Sequence, residues 1–133
     1  MTPDDERLIA VAQLWIDTYN DDSPRCHEVY APDCEVMLMG TGQVVRGLEI
    51  LQAGEKAHKA NALRQRMVLQ RAIPKDDVVV VEVAVEFNDG RKPGYGCGVL
   101  TVRDGLVVSD HSYSPWPGGV PEVTQTASTS TNA

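Results

Sequence analysis

The carboxylate with the strongest case for chemistry is Asp110, near the end of the last predicted strand. Trp15, Leu38 and Val108 are predicted to surround it. Apolar surroundings disfavour the charged form, which would raise the pKa of this carboxyl group and suit it to general acid or base catalysis. The alternative is an exposed carboxylate on an outer strand. Ser112 lies two residues further on and shares the face of Asp110, because side chains alternate along a strand.

Glu82 and Tyr19 are the other candidate catalytic residues. Glu82 and Glu86 alternate with apolar residues, so one face of their strand is polar and the other apolar. If the polar face turns inward, both glutamates need arginines such as Arg64, since an unpaired buried charge is too costly. If the apolar face forms the core, both are solvated. Tyr19 would either present its hydroxyl to a pocket or serve as a core tyrosine bonded to the backbone.

The histidines and cysteines form no metal-binding pattern. They are His27, His58 and His111, and Cys26, Cys34 and Cys97. No two histidines share a ligand spacing, and the cysteines contain no CxxC pair. His27 and His58 are predicted to be surface residues, and His111 to lie on the strand face opposite Asp110. We therefore expect reduced thiols and neither a metal ion nor a cofactor.

Composition limits the classes of protein and partner. The chain has 133 residues, of which 42% are hydrophobic, and carries a net charge of -7 from 19 acidic and 12 basic residues. This length suits one domain with one core. A negative field repels phosphate, so neither nucleic acid nor an anionic membrane is an expected partner. The polar start and the lack of a long apolar stretch predict a cytoplasmic protein.

Three helices are predicted to precede most of the sheet. Apolar residues at helical spacing indicate the first over about residues 4–20. A short second helix begins at Pro24, at the first helical position, and is stopped by Pro32-Asp33. The third helix runs over about residues 47–60, and Ile50, Leu51 and Ala57 are predicted to face inward.

The remaining elements are strands joined by short turns. They are predicted at about residues 34–39, 63–73, 78–87, 95–102 and 106–113. An Asp104-Gly105 turn joins the last two, and such turns mean an antiparallel, strongly bent sheet. Gly94, Gly96 and Gly98 alternate on one strand face, which leaves room for a ligand or permits a sharp bend. We predict a domain over residues 1–116 and a flexible Ser/Thr-rich tail over 117–133.

The order of elements and three motifs resemble one known superfamily. The motifs are Tyr30-Ala-Pro-Asp-Cys-Glu-Val36, Arg46-Gly-Leu-Glu-Ile50 and Cys97 to Gly105. Over residues 5–115 the chain resembles the nuclear transport factor 2-like superfamily, and is most similar to its SnoaL-like polyketide cyclases and limonene epoxide hydrolases. The resemblance implies an α+β fold in which a cone-shaped curved sheet, antiparallel but mixed at the edge, wraps around three N-terminal helices. It also implies a homodimer through the outer sheet face.

The residues that perform the known reactions of this superfamily are replaced in this chain. Where the epoxide hydrolases have an Arg, two Asp, a Tyr and an Asn, the sequence has Glu82, Ala84, Ser112, Met37 and Met39. Without those residues a catalytic water would lose its partners. The epoxide hydrolase reaction in its known form is therefore not expected.

The isomerase and cyclase branches leave a narrower possibility. Ketosteroid isomerases need two Asp and a Tyr where this chain has Leu38, Gly98 and Trp15, so it lacks both the base and the groups that stabilise an enolate. SnoaL-like cyclases use an Asp close to the position of Ser112. The nearest carboxylate here is Asp110, two residues earlier.

Two main functions remain open, and a third possibility is a partner-binding adaptor that uses the outer face of the sheet. The first is a module for ligand binding or dimerisation, with an apolar pocket for a small hydrophobic molecule. Its expected ligand-binding residues are Trp15, Leu38, Met39, Gly98, Val108 and Ser112. The alternative is a cofactor-free enzyme of the polyketide cyclase, epoxide hydrolase, isomerase or dehydratase type, with Asp110 as a relocated acid or base.

Overall fold

A long N-terminal helix lies against one face of a six-stranded sheet. The computed structural model describes residues 1–113, so the predicted tail and the domain boundary at residue 116 lie outside the described residues. The helices are α1 (Pro3–Asn20) and α2 (Leu48–Lys59), with a single 3-10 turn at Cys26–Glu28. The strands are β1 (Tyr30–Leu38), β2 (Gln43–Arg46), β3 (Gln65–Lys75), β4 (Val78–Phe87), β5 (Gly94–Arg103) and β6 (Leu106–Tyr113).

Helix α1 begins with a reciprocal cap. The Thr2 hydroxyl accepts the Asp5 N–H at 3.0 Å, and the Asp5 carboxylate accepts the Thr2 N–H at 3.2 Å. Pro3 occupies the first helical position, where its missing N–H costs no hydrogen bond. The buried face consists of Leu8, Val11, Ala12, Trp15, Ile16 and Thr18. This face covers the sheet, and α1 makes its main contact with β3.

The sheet has the order β2-β1-β6-β5-β4-β3. Only the β1–β6 pair is parallel within residues 1–113, and every other neighbouring pair is antiparallel. The predicted mixed α+β architecture is therefore confirmed, although the parallel pair lies one strand in from the edge. No helix among these residues has the length and apolar character needed to cross a membrane.

The prediction of three helices is wrong. The second is only the 3-10 turn, and β1 begins at Tyr30 and continues through Pro32-Asp33. Both residues are exposed, and they lie where the β1–β6 register shifts between Tyr30 and Glu35. Because the ladder is already irregular there, the missing N–H of Pro32 breaks no regular pairing. The strand β2 was not predicted, since four residues give too short a pattern.

Strand β4 faces the core with its valines. Val79, Val81, Val83 and Val85 are at most 3% exposed, whereas Glu82 and Glu86 project from the outer face. The apolar face is therefore the core face, which decides between the two orientations left open by the sequence. Helix α2 has no fully buried residue. Leu51 packs against the core, and Ile50, although exposed, borders the space between the helix and the sheet. Ala57 is exposed and does not, so only its predicted inward orientation is wrong.

A β-bulge in β6 sets the orientation of the last strand. Val102 pairs with Val107 and Thr101 with Ser109, which leaves Val108 as the extra residue. The bulge allows Val107 and Asp110, three residues apart, to face the core together, at 0% and 1% exposure. Strict alternation would have turned one of them outward.

Candidate functional site

A cavity of about 290 Å³ lies between the inner face of the sheet and the two helices. Its walls are predominantly apolar and come from all six strands, α1 and α2. They include Val36, Leu38, Leu51, Met67, Val83 and Val85. An apolar concave surface with a few polar groups is the usual form of a small-molecule site.

Asp110 lies at one end of this cavity within a chain of hydrogen bonds. The Trp15 Nε1–H lies 2.7 Å from the Tyr30 hydroxyl oxygen and 3.3 Å from Asp110 Oδ2. The Tyr30 hydroxyl donates to the same Oδ2, and the Ser112 hydroxyl donates to Oδ1 at 2.6 Å. All four side chains line the cavity. Three donors therefore converge on one buried carboxyl group.

Burial dominates the protonation of this cluster. It raises the pKa of Asp110 above the ordinary value, although hydrogen bonds from Ser112, Tyr30 and Trp15 act in the opposite direction. Burial and the neighbouring carboxylate also raise the pKa of Tyr30 well above its usual range, so its hydroxyl remains a donor. A carboxyl group with a raised pKa in an apolar cavity is suited to exchanging a proton with a bound molecule.

Gly98 positions Trp15. A Cβ atom at Gly98 would lie 2.7 Å from Cη2 and 3.0 Å from Cζ2 of the Trp15 ring. The space left by the missing side chain is therefore filled by the indole and not by open cavity. Trp15, in turn, is held with its N–H directed at Tyr30 and Asp110.

A second polar cluster lines the same cavity. The Tyr19 hydroxyl donates to Gln65 Oε1 at 3.3 Å and lies 3.2 Å from His58 Nε2. Since the hydroxyl has one proton and directs it to Gln65, the second contact requires the His58 tautomer with its proton on Nε2. Burial raises the pKa of Tyr19 to about 12, while burial together with Arg64 lowers the pKa of His58. Both groups are therefore neutral at neutral pH.

Several predicted site residues lie in the cavity wall and others do not. Those in the wall are Trp15, Tyr19, Leu38, Asp110 and Ser112. Glu82 pairs with Arg71 at 3.0 Å on the outer face, so the outward one of its two open orientations is the observed one, and Glu82 does not line the cavity. Neither Met39 nor Val108 lines the cavity. Met39 follows the end of β1, with its N–H bonded to the Ser112 carbonyl, and Val108 is displaced by the bulge.

Three residues of the site were missed from the sequence. Tyr30 was assigned to a helix, Gln65 had no distinguishing motif, and His58 was predicted to be a surface residue. The spacing of Leu51, Glu55 and His58 along α2 could have identified the cavity-facing side of that helix, because residues four and seven apart share a face.

Glu55 and Lys59 also line the cavity, and they attach α2 to the segment that follows α1. Glu55 accepts the N–H groups of Arg25 and Cys26 at 3.1 Å, and lies 3.2 Å from Lys59. Lys59 Nζ also donates to the carbonyls of Thr18 and Ser23, each at 2.7 Å. Burial raises the pKa of Glu55, but the hydrogen bonds that Glu55 accepts from Cys26, Arg25 and Lys59 outweigh burial and lower it. Within residues 1–113 no group of His, Cys, Asp and Glu side chains could hold a metal ion.

Comparison with solved structures shows where this fold recurs. An epoxide hydrolase from M. tuberculosis similar to limonene epoxide hydrolase has 16% identity and a TM-score of 0.73, with 86% of this chain and 83% of that chain covered. A candidate ketosteroid isomerase from Kribbella flavida DSM 17836 has 23% identity and a TM-score of 0.69, with 86% of each chain covered. At such identities the likeness establishes the fold alone.

Family comparison agrees with these structures. A candidate SnoaL-like polyketide cyclase from Jannaschia sp. CCS1 has 14% identity and a TM-score of 0.70, with 85% of this chain and 88% of that chain covered. No curated protein sequence matches the chain. The family model for the SnoaL-like domain matches residues 12–110. The predicted resemblance is thus confirmed, and the chain belongs to the SnoaL-like domain family of the nuclear transport factor 2-like superfamily.

Proposed function

We propose that this protein binds a small hydrophobic molecule in the cavity between the sheet and the two helices. The observation that carries the proposal is a cavity of about 290 Å³ with largely apolar walls, which also contain two separate polar clusters and the Glu55–Lys59 ion pair. Its volume is at the lower end of the usual range for ligand sites, which favours a compact molecule. The replaced residues at Leu38, Gly98 and Ala84 favour binding without the reactions known for the family.

The test fills the cavity without destabilising the fold. Gly54 lies on α2 and lines the cavity, and a Cβ atom there would meet no other atom within 4 Å. Gly54→Leu should favour the helix, because glycine is a poor helix former, while its side chain occupies the mouth of the cavity. We expect it to abolish binding of a polarity-sensitive fluorescent probe such as anilinonaphthalene sulfonate.

Ala57→Leu is the matched control. Ala57 lies one turn further along α2, is exposed and does not line the cavity. It should leave the fluorescence titration unchanged. Equal probe binding by the Gly54→Leu variant and the wild type would show that the probe does not use this cavity, and would contradict the proposal.

A second candidate function is acid–base catalysis on the bound molecule, without a cofactor. The observation that favours it is Asp110, which is 1% exposed, lines the cavity and has a raised pKa. In this role Asp110 would transfer a proton to or from the ligand, directly or through the Ser112 hydroxyl bonded to it. Tyr30 and Trp15 would hold the carboxyl group in place.

Turnover assays distinguish the two functions. Asp110→Asn keeps the shape of the side chain, with the exposed Asp33→Asn as control. The substrates are a panel of epoxides, enones and ketosteroids. The enzyme hypothesis expects turnover that falls at least a hundredfold in Asp110→Asn only. Turnover that survives this substitution would remove Asp110 from the mechanism.

We also propose a homodimer through the outer face of the sheet and a cytoplasmic location. The pairing register aligns Val44, Met37, His111, Val99, Val80 and Ile73 across all six strands of that face. This row supports pairing because it is largely apolar. Val80→Lys should convert a dimer to a monomer in sedimentation, whereas Lys56→Ala on α2 should not.

The proposed cytoplasmic location is supported by the free thiols of Cys26, Cys34 and Cys97, which accord with a reducing compartment.

A further inference from the structure

The two polar clusters of the cavity offer different hydrogen-bonding groups to a ligand. At the Asp110 end, the protons of Trp15, Tyr30 and Ser112 are all directed at protein oxygens. The Ser112 oxygen keeps its lone pairs for the cavity, since its own proton goes to Asp110. This end therefore accepts a hydrogen bond and suits a ligand that donates one, such as a hydroxyl group.

The other end offers a donor. Gln65 is 9% exposed and lines the cavity, and its Oε1 accepts the Tyr19 hydroxyl. None of the described hydrogen bonds uses the Gln65 Nε2 protons. Among the described residues the only fully enclosed side-chain atom without a partner is Arg64 Nε, so Gln65 Nε2 keeps some accessible surface. The amide protons of Gln65 are thus available to a ligand acceptor, such as a carbonyl oxygen.

The two ends are separated along α1. Trp15 belongs to the first cluster and Tyr19 to the second, and four helical residues span about 6 Å. Between the clusters the walls are apolar, with Leu38, Met67 and Val85 among them. A ligand that reaches both clusters therefore needs an apolar skeleton several carbon atoms long.

We infer that the ligand of this cavity is a hydroxyketone, with a hydroxyl group at Ser112, a carbonyl group at Gln65 and an apolar skeleton between them. The inference rests on the proposed binding function and specifies the class of molecule bound. Ser112 and Gln65 are its specificity-determining residues. His58 is a positioning residue, because its N–H to Tyr19 directs the Tyr19 proton to Gln65 Oε1.

The experiment compares four compounds built on the bicyclic decalin skeleton. One carries only a hydroxyl group, one only a ketone, one carries both at opposite ends of the skeleton, and the fourth is decalin itself. Affinities are measured by calorimetry with the full chain. We expect the hydroxyketone to bind most tightly and each single-function compound about three- to tenfold more weakly, the change that one neutral hydrogen bond supports. Decalin should bind most weakly of the four.

Variants assign each contact to its residue. Gln65→Met should weaken the ketone and the hydroxyketone about three- to tenfold and leave the hydroxyl compound and decalin unchanged. Ser112→Ala should weaken the hydroxyl compounds only. Gln70→Met on the same strand and Ser109→Ala on the outer face of β6 are the controls, and both should bind like the wild type.

A further variant keeps the test decisive if Gln65→Met fails to fold. Gln65→Glu, measured above the pH at which its carboxyl group ionises, retains an oxygen that accepts the Tyr19 hydroxyl but has no proton to donate, so it should weaken the ketone selectively. Equal affinity for all four compounds would overturn the inference while leaving the proposed cavity function intact. Binding of none of them would overturn both.

Discussion

Replacing Gly98 with alanine should destabilise the fold by about 1 to 3 kcal/mol, the usual cost of overpacking a core. The new Cβ atom would lie 2.7 Å from Cη2 of Trp15 and 3.5 Å from the Leu100 side chain. Trp15 is a rigid ring, 7% exposed and hydrogen-bonded to Tyr30 and Asp110, so it cannot turn away freely. The steric cost therefore exceeds the gain of about 0.5 to 1 kcal/mol expected for alanine over glycine in a strand.

The assay is urea denaturation followed by far-UV circular dichroism, which gives the free energy of unfolding. Gly54→Ala is the matched control, because a Cβ atom there meets nothing within 4 Å. That substitution should stabilise helix α2 by about 0.5 to 1 kcal/mol. Replacing glycine with alanine should thus lower the free energy of unfolding at position 98 and raise it at position 54.

A double-mutant cycle tests the cause. Trp15→Phe removes both ring atoms that the new Cβ atom would contact, so Gly98→Ala should cost much less in that background. If Gly98→Ala is as stable as the wild type, or if its cost is the same with and without the Trp15→Phe substitution, the indole does not limit the space at this position. The proposed positioning of Trp15 would then be refuted.

Two further predictions concern buried charged groups. The folded protein binds the Asp110 proton more tightly than the unfolded chain, so this group reduces stability progressively as pH rises above 3.8 and until its folded pKa is passed. Asp110→Asn should therefore gain stability relative to the wild type in urea denaturation as the pH rises above 3.8, and a difference that stays constant with pH would contradict the raised pKa. The Lys59 side chain is 4% exposed and binds Glu55 and two backbone carbonyls. Lys59→Met should therefore lower the free energy of unfolding by about 3 to 5 kcal/mol. Lys56 is exposed, and Lys56→Met should lower it by less than about 0.5 kcal/mol. Equal unfolding midpoints for the two lysine variants would count against this role.

Elements with a long regular pattern were predictable from the sequence. The apolar stripe of α1 and the alternation of apolar and polar residues in β4 identify the residues that face the core where the helix packs on the sheet. Pro32 shows the limit of such rules, because it stops a helix but is tolerated in an irregular strand. Local signals cannot reveal the partner strand that decides between these outcomes.

The site was only partly predictable because it depends on contacts between distant residues. Asp110 was identified from its strand, but its inward orientation depends on a bulge that no local motif indicates. Tyr30 and His58 are brought to the cavity by residues far away in sequence, Asp110 and Tyr19. Gly98 was predicted to leave room for a ligand or to permit a bend, whereas the packing shows that the Trp15 indole fills this space.

The place of β6 in the sheet has a consequence for folding. β6 lies between β1 and β5, and so joins the β1–β2 hairpin to the β3–β5 meander. The β1–β6 pairing links residues as distant as Tyr30 and Val107, so a large loop must close before either half gains its neighbour. During synthesis the β1–β2 hairpin and the β3–β5 meander could not join into one sheet until β6 has been made. Because β6 also contributes Asp110 and Ser112, the wall of the cavity is completed in the same step that completes the sheet.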